Sequence, residues 1–185
     1  YRKPRLRQDF PVGVMGLGVL GVRVAKALAQ FEFPVNGWSR SPKAIGGVRA
    51  FSGQDGFHDF LAASRVLVNL LPLTPDTQDI LSRDTLSRLQ PGGYLINVAR
   101  GAHLVEDDLL ALLASGHLAG ATLDVFRTEP LPAGHPFWNH PRIVATPHTS
   151  ARTLRDESIA QIAGKIVALE RGETIAGVVD PAYGY

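Results

Sequence analysis

Residues 12–21 read VGVMGLGVLG, a short apolar run that leads into three glycines spaced G-x-G-x-x-G. The apolar run predicts a buried strand, and the apolar residues after the glycines recur with the spacing of a helix. Between them, Gly16 permits a tight turn, Gly18 leaves room beside the backbone, and Gly21 lets the helix pack closely on the strand. The N–H groups that open such a helix attract an anion such as a pyrophosphate. Because glycine-rich turns are common, the motif alone leaves an ordinary loop as an equal alternative.

The composition of the 185 residues, with 45% hydrophobic and 19% charged side chains, is that of one globular domain with a real core. The formal net charge is only +2. Basic residues are dispersed apart from Arg2, Lys3, Arg5 and Arg7 at the start, so a nucleic-acid partner has little support.

Cysteine is absent from the chain, which excludes disulfides, thiolate catalysis and cysteine-ligated zinc, and no other metal site is indicated. The sequence has neither a secretory leader nor an apolar run long enough to cross a bilayer. We therefore expect a cytoplasmic protein without a membrane partner. The chain begins at Tyr1 rather than methionine, which suggests a piece of a longer protein.

Strands and helices are predicted to alternate along the chain. After the strand and helix of the glycine turn, the apolar runs predict strands at 34–38, 48–51, 66–71, 94–98, 121–125 and 143–145. Helical spacing and terminal signals predict further helices at 55–63, 82–89, 106–115 and 153–170. This alternation is typical of an α/β doubly wound parallel sheet, a Rossmann-type dinucleotide-binding fold, whose ligands bind beyond the carboxyl ends of the strands.

Polar or turn residues follow several of these strands and are predicted to converge on one edge of the sheet: Ser39, Arg40, Pro72, Arg100, Asp124 and His148. Taken singly, an arginine there is most often part of a surface ion pair, an aspartate a turn residue, and a histidine solvated or part of the core. In a chain with a dinucleotide-binding turn, the set of Arg100, Asp124, Glu129 and His148 supplies what reduction of a 2-keto acid requires. That reaction needs a planar cation for a carboxylate, a proton donor, and a carboxylate that orients the donor. The other histidines are assigned no chemistry: His58, His103, His117, His135 and His140.

The segment after the second predicted strand indicates which dinucleotide binds. An NAD site places Asp or Glu about 20 residues beyond the glycine turn, where it accepts hydrogen bonds from the ribose. Here Ser39, Arg40, Ser41 and Lys43 stand in that region, with no acid among them. A 2′-phosphate would accept a charged hydrogen bond from Arg40. We therefore predict NADP(H) in preference to NAD(H), with a solvated basic loop as the alternative.

Six motifs along nearly the whole chain carry a family resemblance. They are VGVMGLGVLG, FPVNGWSRS, VLVNLLPLTPDT, NVARG, the run from LDVF to EPLP, and TPH before a long helix. On these motifs the sequence resembles the nucleotide-binding part of the D-isomer-specific 2-hydroxyacid dehydrogenases, and within that family the glyoxylate/hydroxypyruvate reductase A type. One departure follows His148, where Thr149, Ser150 and Ala151 replace the glycines of many relatives.

The resemblance implies an NAD(P)-dependent oxidoreductase that transfers hydride from NADPH to a small 2-keto acid and forms a homodimer. It implies that Arg100, Glu129 and His148 are the catalytic set and that Asp124 lies beside the nicotinamide. The expected cofactor-binding residues are Gly16, Gly18, Val19, Leu20, Gly21, Ser39, Arg40, Ser41, Lys43, Leu71, Pro72, Thr77, Ala99, Arg100, Asp124 and His148. Glyoxylate and hydroxypyruvate are the implied substrates, and a bulkier 2-keto acid is the alternative.

The resemblance also implies a second, smaller substrate lobe, made mainly of residues that precede the glycine turn and largely absent from this chain. On that basis the chain divides into a dinucleotide-binding domain at 8–150 and a long helix with a C-terminal tail at 151–185 that returns to the lobe. A different class of function is a non-catalytic dinucleotide sensor that binds protein partners, since fold alone does not determine activity. A sensor needs the glycine turn but not the acid-base pair.

Overall fold

The computed structural model describes residues 6–151 and 154–179, in which strands and helices alternate. The strands are β1 (Val12–Met15), β2 (Val35–Ser39), β3 (Arg49–Ser52), β4 (Val66–Asn69), β5 (Gly93–Asn97), β6 (Leu118–Leu123) and β7 (Ile143–Ala145). The helices are α1 (Val19–Gln30), α2 (Asp55–Ala62), α3 (Arg83–Leu86), α4 (Glu106–Ala114) and α5 (Arg155–Glu170). Short 3-10 turns lie at Arg7–Asp9, Gly101–His103 and Pro136–Asn139.

All seven strands form one parallel sheet in the order β3-β2-β1-β4-β5-β6-β7. The chain builds outward from β1 to β3 and then crosses to β4 on the other side of β1. Val14 of β1 is aligned with Gly37 of β2 and with Val68 of β4. The predicted doubly wound fold is confirmed, and its topological switch point lies between β1 and β4, where such folds bind ligands.

The core lies on both faces of the sheet, because parallel strands covered by helices on each side are apolar throughout. Val14 and Met15 point to opposite faces, since successive side chains of a strand alternate. Met15 belongs to a large cluster with Leu67, Leu95 and Leu123, whereas Val14 packs in a smaller one under α1. Full burial of each such leucine stabilises the fold by about 1.5–3 kcal/mol.

Most predicted elements differ from the structure by one residue or less at each end, and three within the described residues differ by more. The strand predicted at 66–71 ends at Asn69, where the loop with Leu71 and Pro72 begins. The strand predicted at 121–125 begins at Leu118 and ends at Leu123. Its pairing with β5 continues through a bulge back to Leu118, and Gly120 in that segment is a residue typical of turns, so the sequence alone did not indicate a strand there. The helix predicted at 82–89 is a single turn at Arg83–Leu86, beyond which i to i+3 hydrogen bonds at residues 88 and 89 tighten the chain. The predicted first residue of the last helix, the basic residues at 2–5 and the end of the tail lie outside the described residues.

The chain divides into two compact units between His148 and Thr149, and the second unit contains α5. Ile159, Ile162, Ile166 and Leu169 form the predicted apolar face of this helix, and each is 52–58% exposed. No residue of α5 is buried among the residues described. None of the helices in the described ranges combines the length and apolar character that a bilayer crossing requires. Within the same ranges, His, Asp and Glu form no group of three or more suited to a metal ion.

Candidate functional site

The glycine turn lies at the switch point and leads directly from β1 into α1. A Cβ atom at Gly21 would lie 1.8 Å from the carbonyl oxygen of Gly16, so only glycine allows this close packing. A Cβ atom at Gly18 would meet no heavy atom within 4 Å, which shows open space beside the turn. Gly18 caps α1 without a side-chain hydrogen bond, and the next two residues, Val19 and Leu20, are exposed. The turn therefore has the space and the helix N–H donors that fit a dinucleotide pyrophosphate.

The loop after β2 is joined to the glycine turn by a lysine. The Nζ atom of Lys43 donates a hydrogen bond to the carbonyl oxygen of Leu17, at 2.5 Å. The hydroxyl of the buried Ser39 donates to the carbonyl oxygen of Ser41, at 2.8 Å. Arg40 lies between these two serines and is exposed. The basic loop thus borders the turn that would hold the pyrophosphate.

The loop after β4 contains three of the expected cofactor residues and is held by hydrogen bonds among its own residues. Thr77 Oγ1 donates a hydrogen bond to the Pro72 carbonyl oxygen at 2.7 Å and accepts one from the Thr74 N–H at 2.8 Å. Pro72 is exposed, whereas Leu71 is buried. The carbonyl of Pro72 therefore lies at a defined position on the edge of the sheet where β4 ends.

Glu129 and His148 form a hydrogen-bonded pair on the loops after β6 and β7. Glu129 Oε2 lies 2.8 Å from His148 Nδ1, and Glu129 Oε1 accepts a hydrogen bond from the Phe126 N–H at 2.9 Å. Both side chains are partly exposed, 48% for His148 and 36% for Glu129. The backbone of His148 has φ of 53°, in the left-handed region that is strained for most residues.

The pKa of the Glu129 carboxyl results from opposing causes. Burial alone would raise it, yet the hydrogen bonds from His148 and Phe126, together with the charges of His148 and Arg100, lower it below its ordinary value. The carboxylate is therefore ionised at neutral pH.

Arg100, on the loop after β5, is exposed and donates from Nη1 to the Ala99 carbonyl oxygen, at 2.7 Å. The next residue must be glycine, because a Cβ atom at Gly101 would lie 1.9 Å from the carbonyl carbon of Phe126. This close approach packs the loop after β5 against the loop that contains Glu129. The structure thus brings Arg100, Glu129 and His148 to one edge of the sheet.

Asp124 is the remaining predicted polar residue at this edge, and it is only 1% exposed. Its Oδ1 atom accepts a hydrogen bond from Thr146 Oγ1 at 2.5 Å, which joins the ends of β6 and β7. The Asp124 N–H donates to the Asn97 carbonyl oxygen at 3.0 Å. Asp124 is therefore buried and hydrogen-bonded at this edge of the sheet, and it is not a solvated turn residue.

Sequence reasoning missed a set of buried polar side chains beneath this edge. Asn69, Asn97 and His103 are each 0% exposed and are joined by hydrogen bonds. Asn69 and Asn97 are directly aligned where β4 and β5 pair. The signal was one asparagine inside each of two apolar runs, because a buried amide needs a polar partner.

We expect acid to destabilise the fold through His103. Burial lowers the pKa of His103 and the charge of Arg100 adds to this, against the backbone carbonyl groups of Pro72 and Arg100, which favour the charged ring. In the unfolded chain the ring titrates near its ordinary pKa of about 6.5. Below that pH the unfolded state binds more protons, so the free energy of unfolding should fall as pH drops from about 6.5 towards the folded pKa. Urea unfolding over a pH series measures this slope, and an unchanged slope in the His103→Gln variant would contradict it.

Comparison with known proteins places these features in a family. The model of the family described as D-isomer specific 2-hydroxyacid dehydrogenase, NAD binding domain, matches residues 4–150. A glyoxylate/hydroxypyruvate reductase A of Serratia proteamaculans is 55% identical over 182 residues, which cover 98% of this chain and 58% of the relative. One of Photorhabdus laumondii is 53% identical and is covered to the same 58%. The chain thus spans less than two thirds of the length of these relatives.

Solved structures are similar over the full length of the chain. A D-isomer specific 2-hydroxyacid dehydrogenase from Xanthobacter autotrophicus, in complex with NADPH and MES, matches with a TM-score of 0.95 and 44% identity. The match covers 100% of this chain and 76% of that one. An NADPH-dependent glyoxylate/hydroxypyruvate reductase from Sinorhizobium meliloti, with NADP and sulfate, matches with a TM-score of 0.94 and 39% identity, covering 100% of this chain and 60% of that one.

Proposed function

Because the chain belongs to the D-isomer specific 2-hydroxyacid dehydrogenase family, we propose that the complete protein reduces a small 2-keto acid with NADPH to the D-2-hydroxy acid. The observation that carries this proposal is the Glu129–His148 pair, at 2.8 Å, on the same sheet edge as Arg100 and beyond a dinucleotide turn. A sensor of dinucleotides would need the turn but no acid-base pair.

The three side chains have separate tasks in this proposal. Arg100 binds the substrate carboxylate and polarises the adjacent carbonyl, since a guanidinium matches a carboxylate in geometry and charge. His148, as imidazolium, donates its proton to the carbonyl oxygen as negative charge develops there. Glu129 accepts the Nδ1–H of the ring, which orients Nε2 towards the substrate and stabilises the charged form. NADPH, when bound, would supply the hydride for reduction at C2.

The cofactor would be held by the segments that follow β1, β2, β4, β5, β6 and β7. Gly16, Gly18 and Gly21 would leave room for the pyrophosphate, with the N–H groups of Val19 and Leu20 facing it. Arg40 would bind the 2′-phosphate, with Ser39, Ser41 and Lys43 in support. The remaining proposed contacts are Leu71, Pro72, Thr77, Ala99, Arg100, Asp124 and His148. The NADPH and NADP in the two related structures support this choice of cofactor.

Glyoxylate and hydroxypyruvate are the proposed substrates, supported by the names of the relatives. The test is steady-state reduction by the complete protein of glyoxylate, hydroxypyruvate, pyruvate and a bulkier 2-keto acid, each with NADPH and with NADH. We expect the highest kcat/KM for the two small substrates with NADPH. A protein that binds NADPH but reduces none of these acids would contradict the proposal.

We also propose a homodimer, which rests on the family resemblance. Sedimentation of the complete protein at micromolar concentration should give twice the mass of one chain. A single monomeric species at that concentration would refute the dimer without affecting the proposed chemistry.

The Glu129→Gln variant should show a shifted pH profile. Its amide carries no charge, so the protonated ring beside it is easier to deprotonate, and the alkaline fall in kcat should move to lower pH. The profile is measured as kcat against pH at saturating NADPH. The matched control is Glu106→Gln, because Glu106 lies 3.3 Å from His135 in a second glutamate-histidine pair. An unchanged profile in the Glu129→Gln variant, or an equal shift in the control, would refute the role of Glu129.

A further inference from the structure

The orientations of two buried amides follow from the backbone groups they contact. Asn69 Oδ1 accepts a hydrogen bond from the Leu71 N–H at 3.2 Å, so its Nδ2 points the other way. Asn97 Oδ1 accepts from the Ala99 N–H at 3.3 Å, and its Nδ2 donates to the Arg100 carbonyl oxygen at 3.1 Å. These contacts leave the Asn69 NH2 group to donate to Asn97 Oδ1, at 3.1 Å, and to His103 Nδ1, at 3.0 Å.

The tautomer of His103 is therefore determined by its neighbours. Nδ1 accepts the hydrogen bond from Asn69, so it carries no proton, and the neutral ring has its proton on Nε2. The Nε2–H donates to the Pro72 carbonyl oxygen at 3.2 Å. That carbonyl also accepts the Thr77 hydroxyl, so its two lone pairs are both used. A second proton on the ring would face the Asn69 NH2 group, donor against donor.

We propose that His103 is a positioning residue that joins the Pro72 carbonyl, on the loop after β4, to the Asn69–Asn97 pair that holds the Arg100 carbonyl, on the loop after β5. The inference rests on the proposed function, because these two loops are the ones assigned to the cofactor and to the substrate carboxylate. Hydrogen-bonded contacts that lock a binding loop before the ligand arrives improve affinity by lowering the cost of ordering it.

A purely structural role for His103 makes a different prediction. Backbone bonds also join the two segments, from the Leu81 N–H to the His103 carbonyl oxygen at 2.8 Å and from the Asp79 N–H to the Ala102 carbonyl oxygen at 3.0 Å. If these bonds alone position the loops, substitution of the His103 ring lowers stability and leaves the affinity of the folded protein for NADPH unchanged. The dissociation constant of NADPH therefore separates the two roles.

Three substitutions of His103 in the complete protein test the inference. His103→Leu removes both side-chain hydrogen bonds, and His103→Asn is too short to reach Pro72. His103→Gln keeps a donor amide at the distance of Nε2. We expect the dissociation constant of NADPH, measured by its fluorescence, to rise about tenfold in the Leu and Asn variants, the scale of a lost buried hydrogen bond. In the Gln variant it should stay within about twofold of wild type.

The matched control is Asn36→Ala. This change removes a buried amide of β2 whose Nδ2 donates to the carbonyl oxygen of Ala63 at 2.9 Å, away from the two loops. It should lower the thermal midpoint and leave NADPH affinity unchanged. If the Leu variant does not fold, the contrast between Asn and Gln decides. Wild-type affinity for NADPH in the Asn variant, or equal losses of affinity in the Asn and Gln variants, would overturn this inference and leave the proposed function standing. A wild-type protein that binds no NADPH would overturn the proposed function and the inference with it.

Discussion

The His148→Gln variant of the complete protein is expected to reduce 2-keto acids with a kcat lower by about two to four powers of ten, the scale of a lost general acid. The dissociation constant of NADPH should remain close to that of wild type, since glutamine removes the proton donor and leaves the glycine turn intact. Steady-state kinetics at saturating substrate and NADPH fluorescence measure the two quantities separately. Near-normal turnover would refute His148 as the proton donor.

A second variant and a control separate proton transfer from backbone strain. The backbone at His148 has φ of 53°, a conformation that asparagine tolerates better than most residues. His148→Asn should therefore lose the same activity with little added strain. The matched control is His135→Gln, because His135 also contacts a glutamate, Glu106, at 3.3 Å. Turnover in this control should stay near wild type, and an equal loss there would mean that general destabilisation explains the effect.

The Arg40→Ala variant should raise the Michaelis constant for NADPH by about 10- to 150-fold, which corresponds to the roughly 1.5–3 kcal/mol of a hydrogen bond to a charged group. The constant for NADH should change little, because NADH lacks the 2′-phosphate. Arg40 is exposed on the loop whose Lys43 contacts the glycine turn, and the loop presents no acid that would repel a phosphate.

The control for Arg40 is Arg88→Ala, which removes another arginine, paired with Asp84 and remote in sequence from the cofactor loops. This variant should leave the constants for both cofactors unchanged. Steady-state kinetics with NADPH and NADH give the comparison directly. Equal losses for the two cofactors in the Arg40→Ala variant, or a wild-type preference for NADH, would show that the loop does not recognise the phosphate.

The fold could be predicted from the sequence because its determinants are local. A strand covered on both faces is apolar at nearly every position, as VLVNLL is apart from Asn69, and a helix repeats its apolar residues at helical spacing. The G-x-G-x-x-G spacing is also a local signal, because all three glycines belong to one turn of the chain. The predicted topology also indicates where the site lies, since the carboxyl ends of the strands in a doubly wound sheet meet at one edge. This topology predicts that Arg100, Glu129 and His148 lie at that edge, and the structure places all three there.

The state of His103 was decided only by the tertiary structure. In the sequence it is one of six histidines, three residues beyond Arg100 and without a distinctive pattern. Its protonation and orientation depend on Asn69 and Asn97, which are aligned only when β4 pairs with β5, and on the carbonyl of Pro72, 31 residues away. Burial, hydrogen-bond partners and nearby charges determine what a titratable side chain can do. Each of these arises from contacts between distant parts of the chain, which local periodicity does not encode.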